Sequence, residues 1–181
     1  SGHGLEAGMM VSMTRSCLYT QLHFSSKIEA VMQAMNRMVY GSVTRRLMMT
    51  FFFGIYDMHD GILTFANAGH PSPYHYAAKD RQWRLIDEGE FPLGILENHP
   101  YPTYSCPLHA GDIFVLYSDG IIEAIDADRE RYGFDRFQKL LTSRRWTSPS
   151  ELQDAILRDV ENFSQTLPPA DDRTLMVLYR S

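Results

Sequence analysis

Cysteine is scarce in this chain of 181 residues, and the two present, Cys17 and Cys106, form neither a CxxC pair nor a cluster. That spacing argues against a disulfide scaffold and against a thiolate metal site. It favours a reducing, cytoplasmic setting with both thiols in the core. Seven histidines are scattered without an HExxH or similar spacing, so zinc is not indicated. Positive charge is in deficit: the formal net charge of −5 offers nothing that would draw nucleic acid or an anionic membrane. No apolar run approaches the ~20 residues needed to cross a bilayer, so neither nucleic acid nor membrane is expected as a partner. Repeats, low-complexity stretches and linkers are missing too, and the length suits one domain with one sizeable core.

Several segments do carry regular patterns. Glu6 to Leu22 places Ala7, Met10, Val11, Thr14, Cys17 and Leu18 on a helical period. Ser26-Lys27-Ile28-Glu29 has the form of a capping box opening a second helix, with Ile28, Val31, Met32, Met35 and Val39 as its inward stripe. Met48 to Tyr56 and Ile62 to Ala68 flank the turn His59-Asp60-Gly61 and read as a hairpin. The unalternating Phe51-Phe52-Phe53 predicts a strand covered on both faces. A further hairpin is expected from Tyr74–Ala77 and Trp83–Ile86, and Tyr101–Leu108 is joined to Ile113–Tyr117 across His109-Ala110-Gly111-Asp112. Beyond Tyr132-Gly133-Phe134 a short helix carries Phe137, Leu140 and Leu141. Ser148-Pro149-Ser150-Glu151 opens a longer one with Leu152, Ala155, Ile156, Val160 and Phe163 inward. Helix pairs around a block of hairpins imply an α+β layered fold.

Two acidic turns carry the functional signal. Ile113–Tyr117 leads into Tyr117-Ser118-Asp119-Gly120, and Leu175–Tyr179 leads out of Asp171-Asp172-Arg173-Thr174. Singly, each reads first as ordinary turn chemistry. Together, carboxylates at the ends of two buried strands would repel in a low dielectric, and a hard cation such as Mg²⁺ or Mn²⁺ removes that cost.

Ser1-Gly2-His3-Gly4, Asn67-Ala68-Gly69-His70-Pro71, Phe91-Pro92-Leu93-Gly94, Gly111-Asp112 and the two acidic turns occur in one order along the chain. The ordered set resembles the metal-dependent type 2C (PPM) serine/threonine phosphatases, in the bacterial branch similar to stage II sporulation protein E. The resemblance implies a four-layer αββα sandwich of antiparallel sheets flanked by helix pairs. It also implies two Mn²⁺ or Mg²⁺ ions and in-line attack of a metal-bridging water on phosphoserine or phosphothreonine. Asp119 and Asp171 match the family's metal aspartates, so they are the expected metal and catalytic residues. Gly2, His3, Gly4, Asn67, Gly69, Gly120 and Asp172 are expected around the cleft. His3 is also readable as a helix-start residue and His70 as a residue shaping its loop; Arg173 is readable as a contact for substrate phosphate but first as a solvated surface arginine.

In that branch an aspartate that bridges both ions precedes the glycine motif, a position that would fall before Ser1. The chain is therefore expected to be the C-terminal phosphatase domain, over residues 1–181, of a longer protein with a receiver or sensor domain. It would then lack its first strands, bind metal weakly alone, and could pair edge to edge as a homodimer. The resemblance further implies a phosphorylated protein substrate, an anti-sigma factor antagonist, in two-component or sigma-factor signal transduction. One alternative is a pseudophosphatase that serves as a docking module in sigma-factor regulation. Another is a sensory ligand-binding domain, which would need an enclosed apolar pocket.

Overall fold

Ile28, Val31, Met32, Met35 and Val39 are all buried along one face of helix α2 (Ile28–Tyr40) in the computed structural model. The structure describes residues 5–42, 48–165 and 171–181. Its chain divides into two compact units, one reaching to His70 and including Glu88–Pro107, the other formed by Pro71–Asp87 and Leu108–Ser181.

In the first unit, α1 (Leu5–Phe24) lies against α2, and strands β1 (Phe51–Asp57), β2 (Ile62–Ala68) and β5 (Tyr104–Pro107) form an antiparallel sheet ordered β1-β2-β5. The expected first hairpin is present, with Phe51 opposite Ala68 and Asp57 opposite Ile62. Its turn is closed by the Asp57 carboxylate, which accepts the His59 and Asp60 amides at 2.8 and 3.1 Å. Three local expectations need correction. Val11 is 66% exposed, because it stands about 100° around the helix from buried Met10 and so leaves the face that meets α2. Ser26 does not cap α2: the N-cap is Lys27, without a side-chain cap. The nearby hydroxyl of Ser25 instead accepts the Lys27 amide at 3.2 Å. The three phenylalanines are half-buried rather than covered on both faces, since β1 ends the sheet order and gains lateral cover from one strand only among the described residues.

The second unit contains β3 (Tyr74–Ala77), β4 (Gln82–Leu85), β6 (Ile113–Tyr117), α3 (Asp119–Ile122), α4 (Gly133–Thr142), α5 (Pro149–Ser164) and β7 (Leu175–Tyr179). Its antiparallel sheet is ordered β4-β3-β6-β7. β6 is hydrogen-bonded on both sides, which accounts for its uninterrupted apolar run. Val115, Tyr117, Ile121, Phe137, Leu141, Leu152, Ile156 and Val160 form the buried cluster of this unit. Ser148 caps α5 as expected by accepting the Glu151 amide at 3.1 Å. The Glu151 carboxylate returns one residue earlier than a capping box would have it, to the Thr147 amide at 3.0 Å.

The strands on either side of His109–Asp112 do not pair with each other. β5 pairs with β2, while β6 pairs with β3 and β7. The reason lies in the loop itself. Asp112 is buried, and its carboxylate accepts the Ala78 amide at 2.8 Å and the His109 amide at 2.9 Å, while His75 Nε2 lies 3.0 Å away. The loop is thereby tied to the end of β3. Gly111, at φ +88°, makes the tight approach, since a Cβ there would sit 3.0 Å from that of Ala78.

Burial pushes the Asp112 carboxyl up, but the His109 and Ala78 amides and the His75 side chain outweigh it and hold it below the usual carboxylate range. A depressed folded-state pKa contributes stability that is present above the unfolded value of about 3.9 and is lost as pH falls through the folded value. Asp112→Asn should therefore cost about 2–3 kcal/mol in urea unfolding at pH 7. The gap to the parent protein should narrow as the pH is taken below that range, and a pH-independent gap would contradict this account.

Candidate active site

Tyr117 closes β6 as a buried anchor. Its ring lies 4.6 Å from Phe137 and 6.2 Å from Tyr74 between centroids, and its hydroxyl donates to the Ser72 carbonyl at 2.9 Å. Desolvation raises its pKa, so the phenol stays a donor. Because Tyr117 pairs with Leu175, the residues just after β6 lie beside those just before β7.

Ser118 joins the two turns. Its amide donates to the Thr174 carbonyl at 2.9 Å, its hydroxyl accepts the Thr174 amide at 2.8 Å, and the same hydroxyl donates to the Asp172 carbonyl at 3.1 Å. Although Ser118 is the N-cap residue of α3, its side chain does not cap that helix. Gly120 completes the contact: a Cβ built on it would stand 2.3 Å from the Asp172 carbonyl oxygen and 3.3 Å from that of Asp171. Any side chain at this position would force the turns apart.

Asp119, Asp171 and Asp172 are exposed. One oxygen of Asp119 accepts the Gly120 amide at 3.0 Å, and one of Asp171 accepts the Asp172 amide at 2.8 Å. Each carboxylate is thus oriented by its own turn, and its other oxygen makes no hydrogen bond among the described residues. Among the described residues no group of three or more His, Cys, Asp or Glu forms a ready-made metal cluster. The donor type nevertheless suits a hard divalent cation, which takes carboxylate and carbonyl oxygens and retains waters.

Arg173 departs from the solvated arginine expected. It is half-buried, donates to the buried Ser164 hydroxyl at the end of α5 at 3.1 Å, and keeps a buried Nε without a hydrogen-bond partner among the described residues. Its guanidinium is committed to the scaffold next to the acidic turn.

The remaining expected site residues belong to the first unit. Gly2, His3 and Gly4 lie outside the described residues. Asn67 is buried and its amide closes its own loop, accepting the His70 amide and donating to the His70 carbonyl, both at 2.9 Å. Gly69, at φ +70°, faces Pro92 so closely that a Cβ would meet its Cγ at 2.6 Å. These two residues shape the loop and hold it to the Phe91-Pro92-Leu93-Gly94 segment. Asn36 has no place in the sequence-based expectations. Its side chain accepts the Gly94 amide at 2.8 Å and donates to the Leu96 and Glu97 carbonyls at 2.9 and 3.0 Å. The signal was a polar residue inside the apolar stripe of α2. Beside it, burial and then Glu90 push the Tyr101 phenol up to about 12.

A family model described as Stage II sporulation protein E (SpoIIE) matches residues 1–181. Over 182 residues the chain is 29% identical to "Phosphoserine phosphatase RsbU" of Bacillus subtilis (strain 168), covering 99% of this chain and 53% of that protein. The chain thus spans about half the length of this curated relative. The solved SiaA-PP2C domain of Pseudomonas aeruginosa superposes with a TM-score of 0.85 at 18% identity, over 100% of this chain and 73% of that one. The PP2C phosphatase domain of SpoIIE from Bacillus subtilis, solved with a fragment of its regulatory domain, gives 0.77 at 21% identity, over 98% and 51%. The same phosphatase domain was also solved in an Mn-presoaked form, with a TM-score of 0.61 at 17% identity, over 99% and 77%. At these identities the structures establish the fold: two antiparallel sheets with helices, matching PP2C phosphatase folds.

The contact at Gly120 yields a direct test. Gly120→Ala should lose about 2–3 kcal/mol in thermal or urea unfolding, the scale of forced overpacking. Gly8→Ala is the control, because a Cβ there meets nothing within 4 Å. In the interior of α1 that change should be neutral or stabilise by about 1 kcal/mol. Equal effects at the two positions would refute the close approach.

Proposed function

The chain belongs to the stage II sporulation protein E family, and from that premise we propose that it is a metal-dependent serine/threonine phosphatase domain acting on a phosphorylated partner protein. The observation that carries the proposal is the joining of the two acidic turns by Ser118 and Gly120. Carboxylates alone would repel a phosphate dianion, and the arginine that follows Asp172 in the chain, Arg173, is directed to Ser164. An acidic site suits a phosphate ester only when divalent cations stand between the two.

Asp119 and Asp171 are the residues that would hold such cations, with Asp172 beside them. Bound divalent ions supply a water of lowered pKa and neutralise the charge that develops at phosphorus in an in-line displacement. Ser118 and Gly120 set the spacing of the turns, and the hydrogen bonds within each turn fix one oxygen of each metal carboxylate. The exposure of all three aspartates leaves the site open to a side chain displayed on a folded protein. The proposed substrate is a phosphoserine or phosphothreonine of an anti-sigma factor antagonist in bacterial signal transduction. The relative named as a phosphoserine phosphatase supports that class.

Full-length protein supplied with Mn²⁺ should hydrolyse a phosphoserine peptide, and EDTA should abolish turnover. Asp119→Asn and Asp171→Asn should each lower kcat/KM by about 10²–10³-fold, the scale for removing one electrostatic stabiliser of a transition state. Turnover that survives EDTA, or a full rate in either variant, would overturn the assignment. A complete lack of metal-dependent hydrolysis would leave a non-catalytic docking module.

A further inference from the structure

The second unit carries a cationic groove remote in sequence from the acidic turns. β4 ends the sheet order, so one side of its backbone has no strand partner among the described residues. Beside it lies a groove of about 450 Å³, whose lining includes Tyr76, Arg81 and Trp83 of the β3–β4 hairpin and Arg144 and Arg145 after α4. The Tyr76 and Trp83 rings, 5.3 Å apart between centroids, form an apolar wall. Arg144 is fixed in place by Glu151 at 3.0 Å and by the Trp146 ring at 4.4 Å. Arg81 and Arg145 make no ion pair or hydrogen bond among the described residues. Two uncommitted guanidinium groups in one groove stand out on a chain whose net charge is −5.

We propose that this groove binds an extended acidic segment of a protein partner. An edge strand offers backbone groups to an added strand. Such a strand turns every second side chain to the same face, so acidic residues two apart can meet the arginines. Guanidinium groups bind carboxylates with bidentate, charge-assisted hydrogen bonds. The aromatic wall covers an apolar residue of the same segment, a contact that a bare inorganic anion would leave unused. Nucleic acid is disfavoured because the positive patch is small and the chain as a whole is acidic. The groove requires none of the residues assigned to metal binding, so the proposal stands apart from the phosphatase reading.

The test uses full-length protein and a fluorescein-labelled octapeptide of alternating glutamate and valine, with inorganic phosphate and ATP as competitors. Arg81 adopts φ +56°, a left-handed conformation that asparagine accepts readily. Arg81→Asn therefore removes the charge without threatening the fold, and Arg145→Gln does the same at an exposed position. Saturable peptide binding is expected, weakened about tenfold or more in the double variant and by added salt. The backbone amides of residues 82–85 should gain hydrogen-exchange protection on binding. Unchanged melting temperatures will show that the variants are folded. No saturable binding, equal affinity in the double variant, or complete displacement of the peptide by phosphate or ATP would each overturn the proposal.

Discussion

The pairing of β6 with β7, extended past both strand ends by the Ser118 hydroxyl, is the constraint on which the candidate site depends. A sheet register alone would bring the two turns near each other. Ser118 converts proximity into a defined contact, because one hydroxyl accepts from Thr174 and donates to Asp172. Gly120 then lets the Asp172 carbonyl approach to a distance that no side chain would permit. Two exposed carboxylates are thus held by the backbone of their own turns, each accepting the amide of the next residue. Such an arrangement leaves them available to a ligand and places the cost of orientation in the folded scaffold.

The other motifs follow a common plan in which a buried polar side chain anchors an irregular loop. Asn67 closes the loop through His70, Asn36 gathers the segment from Gly94 to Glu97, and Asp112 ties the approach to β6 onto β3. Each anchor satisfies backbone groups that would otherwise be buried unpaired, a deficit of about 1–3 kcal/mol per group. Much of the motif set is therefore architecture, and the chemistry we propose falls to the two acidic turns.

What the sequence made legible was local. The stripe of α2, the first hairpin, the Ser148 cap and the unbroken apolar run of β6 follow from 3.6- and 2-residue periods and from turn chemistry. The acidic turns were legible because strands flank them. Less could be read where the partner is distant. Asn36 finds its partners 58 to 61 residues away, and the divergence of β5 and β6 depends on a buried carboxylate that links Asp112 to Ala78. Arg173 looked like surface because its partner, Ser164, lies across a segment that carries no periodic signal. Val11 showed that a helical period fixes a face only approximately.

The phosphatase proposal requires Ser118 to position Asp119 and Asp171 for a shared divalent cation. Calorimetric titration of full-length protein with Mn²⁺, well below the melting temperature, decides whether it does. The Ser118 hydroxyl touches neither metal carboxylate but joins the turns that carry them, and loss of such outer-sphere support costs about 10–100-fold in metal affinity. Ser118→Ala should weaken Mn²⁺ binding on that scale, while Ser118→Thr, which keeps the hydroxyl, should restore most of it. Mn²⁺ affinity unchanged in Ser118→Ala would contradict the account, whatever happened to the melting temperature.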